Sequence, residues 1–297
     1  MILNSPYGKA PASEVIRALN EVPGGPEVQL MFLVLALRKQ EALPLVKNGL
    51  RTGEMWEKHM LTKFLRTCPW PETKSELMAL AQSRSEHWLA RQGALYALGA
   101  LGDESAGPQI AAILSEPDCP TGVQLVAISA LARIGYREAA SALRPFMEHD
   151  DIHVRLFANR ALAELGEPVD KPFLFGALDS TDYLARQEAC EALWPVADSD
   201  VTGRLRLLAA NDPHEAVRDA AARSLLQREL TGRTQSGKLG LLAGALDQAD
   251  RHTATWIVQT ILNECGDGGR AFVERLGRRD DHVGERSRVL LTFNASR

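Results

Sequence analysis

Aromatic side chains make up only 6% of this 297-residue chain, and long Val/Ile/Thr runs that would favour sheets are scarce. No stretch approaches the ~20 consecutive apolar residues needed to cross a bilayer. The amino terminus, MILNSPYGKAPASEV, lacks a basic segment followed by an apolar one. A cytoplasmic protein with no membrane partner is therefore expected. Cys68, Cys119, Cys190 and Cys265 stand far apart, with no CxxC pair and no histidine at zinc-ligand spacing. They read as free, mostly buried thiols. Also missing are a phosphate-cradling glycine loop, an HExxH motif and a Ser/His/Asp set. Gly24-Gly25 and Gly268-Gly269 read as turns between helices, with no strand before them.

A general excess of positive charge is absent too, since the net charge is −4. That disfavours sequence-independent nucleic-acid binding. The charge is unevenly spread: residues 101–200 stand at −10, between flanks of +3 each. An acidic middle of this kind can steer a basic partner toward it.

What the chain does contain is alanine and leucine in a repeating pattern. Taking Arg91, Gln124, Arg155, Arg186 and Arg218 as anchors, the intervals are 33, 31, 31 and 32 residues. Three residues after each anchor comes Ala94, Ala127, Ala158, Ala189 or Ala221, and seven after comes Leu98, Leu131, Leu162, Leu193 or Leu225. This small-then-leucine stripe lies on one helix face. Weaker matches at Gln29, Lys58, Thr255 and Arg286 bring the helices of this kind to nine. Between them the pattern predicts second helices at Ala106–Leu114, Arg137–Phe146, Leu205–Ala210, Lys238–Leu246 and Arg270–Leu276. Asp150-Asp151, Asp179, Asp182, Asp212-Pro213 and Asp280-Asp281 are placed to cap helices, and Gly102, Gly135 and Gly166 to end them in the left-handed conformation.

A period near 32 with two helices per unit predicts an all-α solenoid, because one pair cannot bury its own apolar face and must stack on the next. The segments SEHWLARQGALYALGALGDESA, DDIHVRLFANRALAELGEP and NDPHEAVRDAAARSLLQ resemble HEAT repeats of the short bacterial kind first catalogued in phycobilisome lyases. That resemblance implies a right-handed superhelix of about eight or nine helix pairs spanning residues 1–297 as one array. The array is most regular over 84–230, has an inserted loop near 231–237, and weakens at its ends. It also implies that Arg91, Arg155, Arg186 and Arg218 bond to turn aspartates between repeats as a ladder. Gln124, Lys58 and Thr255 depart from the pattern and are expected to interrupt it.

The resemblance places the Arg-bearing helices on the concave surface. With the anchor, +3 and +7 pointing inward, positions +1, +4, +5 and +8 point out. The partner-facing set is then Tyr96, Asn159, Arg160, Gln187, Glu191, Trp194, Arg223, Trp256 and Gln259. Aromatics among polar groups are the mixture found at protein-binding hot spots. The expectation is a non-enzymatic scaffold that needs no cofactor and holds a protein, with a basic segment of that partner resting near Trp194 and Glu191. Two enzyme classes share the architecture. A bilin lyase would use Arg160, Glu191 and Trp194 around a tetrapyrrole. A HEAT-like alkylpurine DNA glycosylase would need a basic channel, which the acidic middle opposes. A di-iron site of the deoxyhypusine hydroxylase kind needs repeated His-Glu pairs, whereas only His214-Glu215 has that order, Glu86-His87 and Glu148-His149 reversing it. A chelator is therefore expected to leave helicity unchanged by circular dichroism, and stoichiometric iron or zinc in protein purified without added metal would contradict this reading.

Overall fold

Alanine-rich stripes, aspartate caps and glycine stops produce the helices they predict in a computed structural model that describes residues 7–22, 24–196, 198–247, 249 and 251–295. Eighteen α-helices and no strand occur among the described residues. The chain divides into two compact units, Met1–Ala142 with Thr292–Arg297, and Leu143–Leu291. The first contains α1 (Ala12–Leu19), α2 (Pro26–Leu37), α3 (Lys39–Thr52), α4 (Met55–Thr67), α5 (Lys74–Gln82), α6 (Trp88–Leu101), α7 (Gly107–Leu114) and α8 (Thr121–Arg133). The short α9 (Ala140–Leu143) follows. Then come α10 (Ile152–Glu164), α11 (Lys171–Leu178), α12 (Tyr183–Leu193), α13 (Ser199–Asn211), α14 (Glu215–Leu230), α15 (Gln235–Leu246), α16 (Arg251–Glu264), α17 (Gly266–Leu276) and α18 (His282–Ala295). The even-numbered helices carry the anchors, and each closes a pair opened by the odd-numbered helix before it. Within the first unit α4, α6 and α8 stack in order, and within the second so do α10, α12 and α14.

The stripe explains that stacking. Ala94, Ala127, Ala158, Ala189 and Ala221 are completely buried, and so, to within 1%, are Leu98, Leu131, Leu162 and Leu193. Small residues let successive helices approach closely, and the leucines fill the space on either side. Gly93 is such a residue: a Cβ there would collide with the Thr62 hydroxyl and lie 2.9 Å from Thr62 Cβ on α4.

Asp151 and Asp182 accept from the amides of His153 (2.8 Å) and Leu184 (2.9 Å), satisfying free donors at the starts of α10 and α12. Gly102, Gly135 and Gly166 have φ of +67°, +75° and +81°, the left-handed exits the sequence predicts. Three odd-numbered helices begin earlier than predicted, α13 at Ser199, α15 at Gln235 and α17 at Gly266. Asp198 caps the first and Thr234 the second, so the 231–237 loop contracts to Thr231–Thr234. Gly268-Gly269 is helical within α17 instead of a turn, Gly269 being packed against the Ile261 carbonyl. The predicted Arg137–Phe146 helix is broken, with 3-10 turns on both sides of α9, because Pro145 has no N–H to continue it.

Of the four arginines expected to form the aspartate ladder, only Arg186 bonds to an aspartate side chain among the described residues. Arg186 grips Asp212 with Nε at 2.8 Å and Nη2 at 2.9 Å, and Asp212 also accepts from the His214 amide at 2.8 Å. Arg91 pairs instead with Glu116 (2.7 Å), and Lys58, expected to interrupt the series, pairs with Glu86 (2.5 Å). Arg155 lays its guanidinium over the Phe173 ring, 5.0 Å from the centroid. Arg218 donates to the backbone carbonyls of Asp212 and Pro213.

Arg186 holds the Asp212 carboxyl below the usual carboxylate range, chiefly by its hydrogen bonds. That stabilisation is present at neutral pH and is lost as pH falls through the depressed pKa. Both side chains are largely buried, so Asp212→Asn is expected to cost ~2 kcal/mol or more. Denaturant titration at pH 7 checks this, with the gap to the parent closing under acid conditions.

Candidate functional site

In the second unit one repeat position gathers charge. Arg160, Glu191 and Arg223 each stand five residues after their anchors Arg155, Arg186 and Arg218, so stacking α10, α12 and α14 brings them into a row. Glu191 sits between the two cations: one carboxylate oxygen meets Arg160 Nη1 in a very short contact, and the other lies 3.3 Å from Arg223 Nη2. Glu164, one turn along α10, accepts from Arg160 Nε at 3.0 Å. Glu188, one turn back along α12, is 3.6 Å from Arg160 Nη1.

Glu188 is the least satisfied member of this cluster. Its Oε2 is buried and has no hydrogen-bond partner. Burial, then repulsion from Glu191, pushes its carboxyl up to about 7, against the opposing pull of Arg160. Burial alone would lower the Arg160 guanidinium, but the surrounding carboxylates, Glu191 foremost, reverse this and raise it. A proton therefore resides on Glu188 below neutrality, while Arg160 stays charged.

Below the row, Arg228 of α14 gathers the carbonyls that follow α12. It donates to Trp194 (3.3 Å), Leu193 (3.4 Å), Asp198 (3.2 Å) and, more closely, Val196, and also to the Thr202 hydroxyl at 3.0 Å. Ser224 adds a hydrogen bond to the Cys190 carbonyl at 3.0 Å. The Cys190 thiol is pushed up to about 12 by burial and then by Glu191, which makes it a packing group.

Of the residues projected from sequence, Arg160, Glu191 and Arg223 meet, and Gln187 and Trp194 flank them on α12 and at its exit. Asn159 does not face outward. It is fully buried, donating to the Arg155 carbonyl (2.9 Å) and accepting from the Asp170 amide (2.8 Å). Position +4 turns inward in this stack, as Leu95, Ile128 and Cys190 also show. Glu191 has both oxygens committed to arginines of its own chain, so it is not an open acceptor for a partner's Lys or Arg. Tyr96 belongs to the first unit and is half-buried with Arg66 over its ring at 5.4 Å. Trp194 and Trp256 are half-buried as well, and Gln259 donates to Asn263 at 3.1 Å.

The exposed apolar side chains lie elsewhere. Leu37, Leu45 and Leu207 are scattered, but Met55 and Trp88 are the first residues of α4 and α6, and Tyr183 and Leu184 the first two of α12, with exposures of 39%, 48%, 38% and 44%. Tyr183 stacks on His214 at 3.7 Å. Positions +1 to +8 lie forward of each anchor and so do not include these residues. The signal available was an apolar residue three positions before Lys58, Arg91 and Arg186.

Residues 108–194 match the family model for HEAT repeats, and residues 90–116 match that for the PBS lyase HEAT-like repeat. Residues 90–194 are thus similar to HEAT repeats. Among solved structures, the complex of CpcE and CpcF of phycocyanin lyase from Nostoc sp. PCC7120 is similar in fold, with a TM-score of 0.55 at 17% identity over 81% of this chain and 94% of that one. Human deoxyhypusine hydroxylase in complex with glycerol aligns over 99% of this chain and 100% of its own, at 17% identity and a TM-score of only 0.34. No curated protein matches the chain in sequence. Among the described residues, no three His, Cys, Asp or Glu side chains are grouped to hold a metal ion, and no helix is long and apolar enough to cross a membrane.

The folded helix stack holds the Glu188 proton to higher pH than an unfolded chain does. Stability due to this carboxyl is thus full below its ordinary range near 4.5 and declines as pH rises through about 7. Glu188→Gln is expected to remove this dependence and to be more stable than the parent at pH 8 by on the order of 2 kcal/mol. Denaturant midpoints for both proteins at pH 5 and pH 8 test the assignment, and parallel profiles would refute it.

Proposed function

We propose that this chain is a non-enzymatic protein-interaction scaffold, located in the cytoplasm, that holds protein at first turns of even-numbered helices within a unit. The observation that carries the reading is that each unit, taken by itself, exposes large apolar residues at such first turns: Met55 and Trp88 in the first, Tyr183 and Leu184 in the second. Aromatic and methionine side chains left open on a soluble surface are typical anchors of protein contacts. Gln187 and Trp194, farther along the helix that Tyr183 opens, add polar and aromatic area. The charged cluster of Arg160, Glu188, Glu191 and Arg223 is engaged internally and serves to fix that helix in place.

A lyase-related role is the second reading. It is favoured by the PBS lyase type of repeat at residues 90–116, and the similar CpcE–CpcF structure is itself a complex of two proteins.

A photo-crosslinking residue introduced at position 88 or 183 is expected to capture a discrete polypeptide in the source cells. The same residue at position 207, an exposed leucine of α13, is expected not to. Tyr183→Ala and Trp194→Ala should each weaken the captured complex by about tenfold with helicity unchanged. Equal labelling from all three positions overturns the scaffold reading. Bilin transferred to a co-expressed acceptor protein would select the lyase reading.

A further inference from the structure

The repeat has one clear irregularity, an interval of 37 residues between Arg218 and Thr255 where the regular block keeps 31 to 33. Its effect appears on α14. Four residues after the anchor, α6, α8, α10 and α12 carry Leu95, Ile128, Asn159 and Cys190, all with no exposure. The equivalent Ala222 of α14 is exposed, and Leu225, equivalent to the buried Leu98, Leu131, Leu162 and Leu193, is only half-buried. A surface that stacking covers in four repeats is therefore open in the fifth. With Ala245 and Ile257 from α15 and α16, these two residues line a groove of about 580 Å³.

The rim of the groove is acidic. Glu215, Asp219 and Glu229 lie on it, against a single cation, Arg218, whose guanidinium is turned to the carbonyls of Asp212 (2.8 Å) and Pro213 (3.2 Å). Among the described residues neither Glu215 nor Glu229 has an ion-pair partner. A bare helix face, apolar at its middle and negative toward both ends of α14, is complementary to a second helix with an apolar stripe and basic groups beside it.

We propose that the groove between α14 and α16 is a docking slot for an amphipathic helix of a partner protein whose apolar face is bordered by Lys or Arg. This rests on the scaffold reading and assigns it a second contact, distinct from the exposed first-turn residues. The occupant takes the place that the next even-numbered helix fills elsewhere in the stack. Its basic groups meet the two free carboxylates, and its apolar residues cover Ala222 and Leu225.

The probe is a fluorescein-labelled peptide of about 14 residues, leucine and lysine at helical spacing, with a leucine–glutamate peptide of the same pattern as control. Fluorescence anisotropy with the full chain is expected to show saturable binding of the lysine peptide and none of the control. Ala222→Trp, which fills the groove from an exposed position, should weaken binding by about tenfold or more. The double variant Glu215→Gln with Glu229→Gln should weaken it several-fold and flatten its salt dependence. Equal binding of the two peptides, or unchanged affinity in both variants, overturns the slot. So does concentration-dependent self-association of the parent that Ala222→Trp abolishes, because the occupant is then a second copy. If the slot fails while positions 88 and 183 still crosslink a polypeptide, the scaffold reading stands without it. Silence at those positions while the lysine peptide binds would leave the slot and remove the first-turn contact.

Discussion

Helices in this chain close on one another through alanine. The residue three places after each anchor is Ala94, Ala127, Ala158, Ala189 or Ala221, and each is completely buried. A larger group there would hold successive helices apart, and the leucine seven places on would lose the surface it packs against. Everything that distinguishes one repeat from another, including the ladder pairs, the charged row and the open groove, is built around that spacing.

The same spacing governs the electrostatics. The acidic middle of the sequence suggests a field that draws in a basic partner. In the folded chain much of that acidity is bonded across repeats: Asp103 to Lys74, Glu116 to Arg91, Glu167 to Arg144, Asp179 to Arg204, Asp198 to Lys171, and Glu191 to two arginines. Several of these bases come from outside the acidic third, so counting charge by segment overstates the charge left to face solvent. Open negative charge also lies on α14, where, among the described residues, Glu215 and Glu229 have no ion-pair partner.

The architecture was legible because it rests on local signals that agree with one another. Alanine and leucine at +3 and +7, aspartate caps and left-handed glycines each mark the same boundaries. The site was legible only in part. Arg160, Glu191 and Arg223 share a repeat position, so the period alone aligns them. Their mutual pairing, and the capture of Glu188 beside them, depend on the rotation of each helix about its axis, and that rotation is set by packing. The same uncertainty turned Asn159 inward. Predicting Met55, Trp88 and Tyr183 as exposed required knowing how far α4, α6 and α12 are covered at their starts, whereas Ile152 at the start of α10 packs on the core. The groove on α14 was visible in the sequence only as a long interval, because whether extra residues lengthen a helix or a loop is decided by where the next cap forms, here at Thr234.

Arg228 shows how unevenly such a stack distributes its tolerance of change. Its guanidinium answers the carbonyls of Leu193, Trp194, Val196 and Asp198, the stretch where the chain leaves one helix and enters the next. A lysine at this position offers a point charge in place of a planar fork and reaches only some of those oxygens. Although its guanidinium is not deeply buried, position 228 therefore tolerates substitution less well than its exposure alone suggests.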